Sequence, residues 1–450
     1  MSGDLGAVID RVRERVAPSD EERDRLERVV GEIIQRTEEV VATLSVDADV
    51  VRVGSTARDT WLRGDRDIDI FVRFHPSLDR EELEEYGLEV GHTVLPGGRL
   101  EYAEHPYVKA EYDGYSIDLV PCFRVESGAA GRSAVDRTPF HAQYVAERLT
   151  PDTATDVRVL KRFLEAIGIY GSDLRTQGFS GYLTELLILE YGDIESLLDA
   201  AADWHPPIVL DPEDHGNRSF DDSLTVIDPT DPGRNVAAVL TAENVARFQH
   251  HARALLEEPS TEYFEVTDPD GLTPADLAAH LERRVTTPIA IRFPAPDVVD
   301  DQLYPQVRRT RDGIVDALEG HGFKVLRAAA YATDDVVIYL ELNVAELPAV
   351  VRHEGPPVHV REHADAFLDR WTDEAVYGPF IDGDRYVVER AREWTSASAF
   401  LRSDAMMEAR LGADLEKPIS EERQVIVQEG VLDLLPEFDR ELATFYDPNP

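Results

Sequence analysis

The sequence reads Gly54-Ser55-Thr56-Ala57-Arg58-Asp59-Thr60-Trp61-Leu62-Arg63-Gly64 and then, after two residues, Asp67-Ile68-Asp69-Ile70-Phe71, and this stretch decides the fold. Side chains alternate between the two faces of a strand, so Asp67 and Asp69 share one face while Ile68 and Ile70 point into a core. Two carboxylates roughly 7 Å apart along a strand repel each other when they are buried. Carboxylate oxygens are ligands that Mg²⁺ prefers, so a divalent ion would relieve that repulsion. A solvated strand edge is the alternative for this motif taken alone.

The residues around this strand favour a nucleotide site. Gly54 and Ser55 lie at a predicted strand-to-helix junction, where backbone N–H groups at a helix N-terminus bind phosphate. Ser55 adds a hydroxyl, and Arg58 one turn later would reach a triphosphate. Asp118 lies on a later predicted strand, residues 115–120, and becomes a third carboxylate if the two strands are neighbours. Three carboxylates would bridge two metal ions about 3.5–4 Å apart, which is the geometry of in-line phosphoryl transfer.

Hydrophobic periodicity divides the chain into three predicted domains of an α+β multidomain protein. Residues 1–145 mix strands and helices, include a two-residue hairpin turn at Asp113-Gly114, and are predicted to form a small α/β domain. Residues 146–265 carry amphipathic segments and are interpreted as a helical domain, in which the Pro/Asp/Gly-rich stretch 206–235 receives no strands. Residues 266–450 show a β-α-β-β order that resembles half of a ferredoxin-like or RRM-like sheet, followed by a tail.

The charge balance of the chain is unusual. Lys and Arg number 46 against 89 Asp and Glu, a net charge of −43. The chain has only four lysines: Lys109, Lys161, Lys324 and Lys417. An acidic chain ordinarily repels nucleic acid. Molar salt shortens the Debye length to about 3 Å and screens self-repulsion, so we interpret the surface as adapted to a cytoplasm with molar salt. An ordinary acidic protein is the alternative.

Cysteine content and hydropathy indicate a cytoplasmic protein with no membrane partner. Cys122 is the single cysteine, which excludes intramolecular disulfides and fits a reducing compartment; we assign it no chemistry. The first residues lack the basic and apolar regions of a signal peptide. No apolar run approaches the length that a membrane-spanning helix needs.

The quoted stretch resembles the signature of polymerase β-like nucleotidyltransferases, and its residues 57–64 resemble the archaeal, class I CCA-adding enzymes. Further matches run in order through nearly the whole chain: Tyr102-Ala103-Glu104-His105-Pro106-Tyr107, Ser133-Ala134-Val135-Asp136-Arg137-Thr138-Pro139-Phe140-His141, Gly168-Ile169-Tyr170-Gly171, Phe179-Ser180-Gly181-Tyr182, Asp228-Pro229, Arg234-Asn235-Val236-Ala237-Ala238 and Arg361-Glu362-His363-Ala364-Asp365. The resemblance implies template-independent addition and repair of the tRNA 3′-terminal CCA from CTP and ATP, with release of pyrophosphate. It also implies that the tRNA acceptor stem and elbow are bound by the C-terminal domain.

The resemblance implies roles for the matched positions. Asp67, Asp69 and Asp118 would hold two Mg²⁺ ions, although many relatives carry Glu at the first position. Ser55 and Arg58 would bind the triphosphate. The phosphate and sugar pocket would be completed by Thr138, His141, Lys161 and Tyr170. The incoming base would be met by Arg234. The arginines expected to contact tRNA phosphates, unless they form an ordinary charged face, share one predicted helix: Arg308, Arg309 and Arg311.

Several pocket residues have structural alternatives. Lys161 follows a hydrophobic pair and would otherwise be a solvated surface residue, but a chain with so few lysines favours a compact phosphate contact here. Tyr170 would otherwise pack at a helix end, and His141 would be a core or capping histidine. Arg234 would otherwise be a loop arginine paired with a carboxylate.

Other protein classes remain as alternatives to CCA addition. The nearest is a poly(A) polymerase-like or oligoadenylate synthetase-like enzyme, which the first domain alone does not exclude. The class II CCA-adding enzymes fit less well because the chain lacks their Arg-Arg-Asp element. A non-catalytic RNA-binding protein would be expected to have lost a carboxylate or the Gly54-Ser55 pair, and an antibiotic-modifying enzyme needs no long C-terminal half. The sequence leaves open whether the chain forms a homodimer.

Transfer into low salt tests the interpretation of the acidic surface. Because 50 mM buffer no longer screens the net charge of −43, the protein should melt on dialysis from molar KCl. Thermal unfolding followed by circular dichroism at both salt concentrations measures this. An unchanged melting temperature would contradict the interpretation.

Overall fold

The chain folds into two compact units. The computed structural model describes residues 4–216, 219–375 and 377–449. One unit extends to Thr267, and the other runs from Asp268 to Asn449. None of the helices in these described ranges is both long and apolar enough to cross a membrane.

A five-stranded mixed sheet forms the centre of the first unit. Its strands are β1 (Ala48–Val53), β2 (Asp67–Phe74), β3 (Arg99–Tyr102), β4 (Pro106–Tyr112) and β5 (Tyr115–Phe123). Their order across the sheet is β1-β2-β5-β4-β3. Strands β2 and β5 run parallel, and the other neighbouring pairs are antiparallel. The two strands that carry the predicted metal ligands are therefore direct neighbours.

Helices cover this sheet and build the rest of the first unit. They are α1 (Leu5–Val16), α2 (Asp20–Val41), α3 (Gly54–Ala57), α4 (Arg80–Val94), α5 (Thr138–Ala146), α6 (Pro151–Ala166), α7 (Gly181–Tyr191), α8 (Ile194–Ala202) and α9 (Ala242–Glu257), with short 3-10 turns at Gly128–Ala130, Val135–Arg137 and Thr261–Phe264. A capping box begins α2: Glu22 N–H donates to Ser19 Oγ, and Ser19 N–H donates to the Glu22 carboxylate.

Alternation along β2 separates a dry face from an acidic face. Ile68 and Ile70 are fully buried and pack with Leu26 of α2 in the core beneath the sheet. Phe71 points to the other side, where it packs with Val120 of β5. The acidic residues of β2 alternate with the core residues, so they lie on the same side of the sheet as Phe71.

The interpretation of residues 206–235 as a stretch without strands is wrong. Within this stretch, a three-stranded sheet is formed by β6 (Ile208–Leu210), β7 (Leu224–Asp228) and β8 (Asp231–Asn235). All of β7 is buried, because Leu224 and Val226 join the core of the surrounding helices. Strand β8 reads Asp-Pro-Gly-Arg-Asn, residues that are depleted in strands, so its sequence gives no strand signal.

The second unit contains two antiparallel sheets. Its strands are β9 (Thr287–Pro294), β10 (Lys324–Ala332), β11 (Asp335–Val344), β12 (Val350–Pro357), β13 (Tyr377–Asp382), β14 (Arg385–Ala391) and β15 (Gln424–Val427). Its helices are α10 (Pro274–Arg284), α11 (Asp300–Gly320), α12 (Arg361–Glu374), α13 (Ala397–Arg402), α14 (Glu416–Glu422) and α15 (Leu435–Tyr446), with 3-10 turns at Asp404–Glu408 and Gln428–Leu434. The predicted β-α-β-β order is confirmed in β9, α11, β10 and β11, and β15 adds a fourth strand beside β9.

Both faces of the β10-β11-β9-β15 sheet are covered. On one face, Ile289 and Ile338 pack with Ile314 of α11. On the other, Tyr339 lies fully buried with Phe438 of α15. The smaller sheet has the order β12-β14-β13 and packs against α12.

Candidate active site

The acidic residues of β2 and β5 lie on one face of the five-stranded sheet. The parallel register pairs Asp69 with Asp118 and Asp67 with Ser116. Asp67 is exposed at the start of β2, whereas Asp69 and Asp118 are half-buried. The structure thus brings the predicted metal ligands onto two neighbouring strands and the same side of the sheet.

Asp69 is a half-buried carboxylate with two acidic neighbours, Asp67 and Asp118. Burial, together with the negative charges of Asp118 and Asp67, raises the pKa of Asp69 to about 6. The positive charges of Arg58 and Lys109 offset only part of this effect. A cluster of carboxylates that raises its own pKa in this way is a site where a bound cation is stabilising.

Lys109 is a residue of the site that the sequence interpretation missed. Its Nζ lies 2.9 Å from Asp118 Oδ1, and the β4–β5 register pairs the two residues. Although burial lowers the pKa of Lys109, the hydrogen bond and charge of Asp118 raise it above its usual value. A signal was available, because the two-residue turn at Asp113-Gly114 sets the hairpin register and places residue 109 opposite residue 118.

The three aspartates are neighbours, but their side chains are not arranged as the ligands of one metal ion. Among residues 4–216, 219–375 and 377–449, no group of three or more His, Cys, Asp and Glu side chains already stands in a geometry that would hold a metal ion. Ligation by Asp67, Asp69 and Asp118 together therefore requires side-chain rotation. Exposed side chains such as that of Asp67 change rotamer readily.

Gly54 allows the chain to pass directly over Asp69. Its φ of +73° lies in the left-handed region, and a Cβ atom built on it would stand 2.0 Å from Asp69 Oδ2. Glycine is therefore required here both by backbone conformation and by space. The predicted phosphate-binding residues Gly54 and Ser55 begin α3 immediately beside the Asp69 carboxylate.

Arg58 is held by a buried glutamate. Its Nε donates to Glu185 Oε1 at 2.9 Å, and Thr60 Oγ1 donates to the same oxygen at 2.6 Å. The Glu185 side chain is fully buried, and the Arg58 side chain is 8% exposed. Glu185 comes from α7, whose mostly apolar sequence gives no signal for a role in the site. The predicted triphosphate ligand is thus held in place by the helical part of the unit.

Lys161 and Tyr170 meet in the interior beside this pair. Lys161 is buried, so the alternative of a solvated surface residue is wrong. Its Nζ donates to the Thr60 carbonyl oxygen at 2.8 Å, and burial lowers its pKa. A Cβ atom built on Gly181 would lie 3.2 Å from Tyr170 Oη and 3.8 Å from Lys161 Nζ, so both side chains end over this glycine.

His141 and Arg234 converge on Asp228. His141 Nε2 and Arg234 Nη1 each lie 2.9 Å from Asp228 Oδ2. Thr138 begins α5, one helical turn before His141. Asp228 and its neighbour Tyr182 were quoted in family-like motifs, yet no role was predicted for them. Arg234 does pair with a carboxylate, as its structural alternative states, but its side chain remains 39% exposed.

The three predicted tRNA-binding arginines lie on α11 of the second unit. Arg309 is exposed, and Arg308 and Arg311 are half-buried. Arg311 Nη2 lies 2.7 Å from Asp312 Oδ1, and burial lowers the pKa of Arg308. Their role in binding tRNA stays a prediction.

Three family models match successive parts of the chain. A nucleotidyltransferase domain matches residues 34–141, the second domain of tRNA nucleotidyltransferase matches residues 155–265, and the C-terminal domain of CCA-adding enzyme matches residues 284–428. The first match contains all three predicted metal ligands.

Similarity to individual proteins extends over the whole chain. The chain is 57% identical to the CCA-adding enzyme of Halorubrum lacusprofundi over 99% of this chain and 100% of that protein. It is 54% identical to the CCA-adding enzyme of Haloarcula marismortui over the full length of both. This chain belongs to the family of CCA-adding enzymes. The enzyme is accordingly a nucleotidyltransferase, and the expected α+β multidomain fold with a nucleotidyltransferase domain is confirmed.

Solved structures resemble the enzyme more distantly. A poly(U) polymerase with Mg and 3′-dATP bound matches 58% of this chain and 98% of its own at 13% identity, with a TM-score of 0.46. A likeness of this size carries no argument about the reaction.

Gly54→Ala tests the close approach to Asp69. The new Cβ must displace the Asp69 carboxylate, and displacing a catalytic group by about 1 Å lowers activity about 100-fold. Nucleotide incorporation by the purified variant measures this. Gly97→Ala is the matched control, because Gly97 has a φ of +85° with no atom within 4 Å of an added Cβ. Equal activity of the two variants would contradict the prediction.

Asp69→Asn tests the electrostatics of the acidic face. Because the pKa of Asp69 in the folded protein (about 6) exceeds its ordinary value of 3.8, the folded state binds more protons between these pH values. The free energy of unfolding of the wild type therefore falls as pH rises through this window. In metal-free molar KCl, the variant should be more stable by roughly 1–3 kcal/mol above pH 6, and the gain should vanish near pH 4.

Urea unfolding of both proteins across this pH range, with EDTA present, measures the difference. A gain that is independent of pH, or a variant less stable than the wild type at pH 8, would show that Asp69 carries no electrostatic strain.

Proposed function

We propose that this enzyme adds and repairs the 3′-terminal CCA of tRNA without a nucleic-acid template. It takes CTP for the two cytidines and ATP for the adenosine, and releases pyrophosphate at each step. The observation that carries the proposal is the pairing of Asp69 with Asp118 across parallel strands, beside the Gly54-Ser55 turn. Membership of the CCA-adding family supports CCA as the product.

Two Mg²⁺ ions would be held by Asp67, Asp69 and Asp118. The donor set suits the ion, because Mg²⁺ prefers carboxylate oxygens together with substrate phosphate oxygens. Burial and the negative charges of Asp118 and Asp67 together raise the pKa of Asp69, which supports a site that gains stability from a cation. When bound, the ions supply Lewis-acid stabilisation of the charge on the attacking and leaving oxygens.

The chemical step would be an in-line displacement at the α-phosphorus of the nucleotide. The 3′-oxygen of tRNA forms the new P–O bond while the bond from the α-phosphorus to the bridging oxygen breaks, and pyrophosphate leaves with the electron pair. Asp118 accepts the proton of the 3′-hydroxyl. Lys109 Nζ, 2.9 Å from Asp118 Oδ1, offsets part of the negative charge of this carboxylate.

The nucleotide would lie between the sheet and the helices of the first unit. Ser55, Arg58 and Lys161 would contact the triphosphate. The sugar side of the pocket would be formed by Thr138, His141 and Tyr170. Arg234 would contact the base. The ammonium of Lys161 has three donors and gives one to the Thr60 carbonyl oxygen, so donors remain for a phosphate oxygen.

Each predicted domain would have its own task. Residues 1–145 would carry the catalytic head, and residues 146–265 would close over the nucleotide. Residues 266–450, including Arg308, Arg309 and Arg311, would bind the acceptor stem and elbow of tRNA by shape. The reaction would take place in the cytoplasm, where tRNA is the partner.

An incorporation assay tests the function. The enzyme is incubated in molar KCl and Mg²⁺ with tRNA that lacks CCA and with labelled CTP and ATP. We expect addition to require CTP and to stop after three nucleotides. Open-ended addition of A without CTP would support a poly(A) polymerase-like enzyme instead.

Asp69→Ala tests the metal site in the same assay. The variant should lose incorporation of both CMP and AMP by at least about 1,000-fold while keeping its fold, because the charge at the reacting centre is no longer stabilised. Asp24→Ala, a change at an exposed aspartate of α2, is the control and should keep full activity. Normal turnover by Asp69→Ala would remove the assignment of Asp69 as a metal ligand.

A further inference from the structure

Asp228 is the most heavily hydrogen-bonded carboxylate beside the proposed base site. Its Oδ2 receives Arg234 Nη1 and His141 Nε2, each at 2.9 Å. Its Oδ1 receives both N–H and Oγ1 of Thr230 at 2.9 Å, and Tyr182 Oη at 3.4 Å. The side chain is fully buried at the end of β7, so these partners hold it in a single orientation.

The contacts of Asp228 join two parts of the first unit. His141 comes from α5, while Arg234 comes from β8, on the same hairpin as Asp228. The ring of Tyr182 stacks on His141 with centroids 4.1 Å apart and planes 16° from parallel. The imidazole is thus fixed by a ring contact on its face and by Asp228 at its edge.

Asp228 remains an ionised acceptor. Burial alone would raise its pKa, but the hydrogen bond and charge of His141 and the hydrogen bonds from Thr230 hold the pKa of Asp228 well below its usual range. A buried carboxylate in this state strongly favours keeping its hydrogen-bond donors in place.

The guanidinium of Arg234 is planar and carries five N–H donors in a fixed fork. Its Nη1 is held by Asp228, which restricts the plane of the group, while the side chain stays 39% exposed. The outer donors are therefore directed away from Asp228 in a fixed orientation. A fixed donor distinguishes cytosine from uracil, because uracil carries an N–H donor where cytosine carries a ring-nitrogen acceptor.

We propose that Asp228 is a positioning residue for nucleotide selection, which aims Arg234 and His141 at the incoming nucleotide as one rigid group. This inference rests on the proposed function, in which Arg234 meets the base. Because the Asp228 side chain is fully buried and its oxygens are already hydrogen-bonded within the protein, it would act through its partners. Its loss should therefore affect selection and binding more than the chemical step.

Asp228→Asn is the direct test. The amide keeps the shape of the side chain but removes its charge, and one of its two positions becomes a donor facing the donors of its partners. We expect the KM for CTP to rise about tenfold, kcat to stay within about threefold, and the preference for CTP over UTP to fall about tenfold. A folded variant with an unchanged preference would overturn the inference.

A double variant shows whether Asp228 acts through Arg234. In an Arg234→Ala background, Asp228→Asn should cause little further loss of CTP preference, because the donor that distinguishes cytosine from uracil is already gone, although His141 remains. A further tenfold loss in that background would overturn the assignment.

Asp222→Asn is the control for a merely structural effect. Asp222 Oδ2 accepts a hydrogen bond from Asn235 Nδ2 at 2.8 Å and so supports β8 without contacting Arg234. This variant should keep the CTP preference, and a loss equal to that of Asp228→Asn would overturn the inference.

Thr230→Val is the alternative test if Asp228→Asn fails to fold, because it removes one hydrogen bond to Asp228. Because about one hydrogen bond is lost, the preference for CTP over UTP should fall about two- to threefold. An unchanged preference would contradict the inference.

The activity of the wild type distinguishes a failure of the proposed function from a failure of the role of Asp228. If the wild-type enzyme adds no CCA, the proposed function fails and this inference fails with it. If the wild type adds CCA and Asp228→Asn selects nucleotides equally well, only the role of Asp228 fails.

Discussion

Repulsion between the carboxylates of Asp69 and Asp118 is the interaction on which the rest of the site depends. The parallel pairing of β2 and β5 places the two residues directly opposite each other, and burial denies them full solvation. The surrounding structure is arranged around this charge. Gly54 passes close over one carboxylate, and Lys109 pairs with the other. Two such carboxylates remain ionised side by side only where the positive charge of another group compensates for their negative charge.

Local features of this arrangement were predictable from the sequence, because they follow from periodicity. Strand β2 begins at Asp67 and ends at Phe74, and its alternation separates acidic from core residues. From the sequence, β2 and β5 could only be assumed to be neighbours. Their paired residues lie almost fifty positions apart, and no periodicity in the sequence indicates a pairing over that distance. Strand β8 was missed because its backbone pairing is imposed by buried β7 and not by its own Asp, Pro and Gly residues.

Buried acids account for the pocket residues whose surroundings were not predicted. Glu185 holds Arg58, and Asp228 holds Arg234, across sequence separations of 127 and 6 residues. Each arginine has one nitrogen committed to an interior carboxylate, which fixes the side chain before any substrate arrives. Motif matching found Arg58 and Asp228 but not Glu185, because a glutamate in an apolar helix such as α7 has no distinctive spacing.

The covered sheet of the second unit limits how that unit can touch RNA. In RRM domains, exposed aromatic side chains on the sheet stack against unpaired bases. Here Tyr339 lies under α15, and its hydroxyl is 2.7 Å from that of Tyr446, so the aromatic surface is sealed within the protein. A sheet closed in this way offers no stacking platform. Stacking on an unpaired base would have to use another surface of this unit, such as the smaller sheet, where Tyr377 and Phe380 of β13 are 62% and 39% exposed.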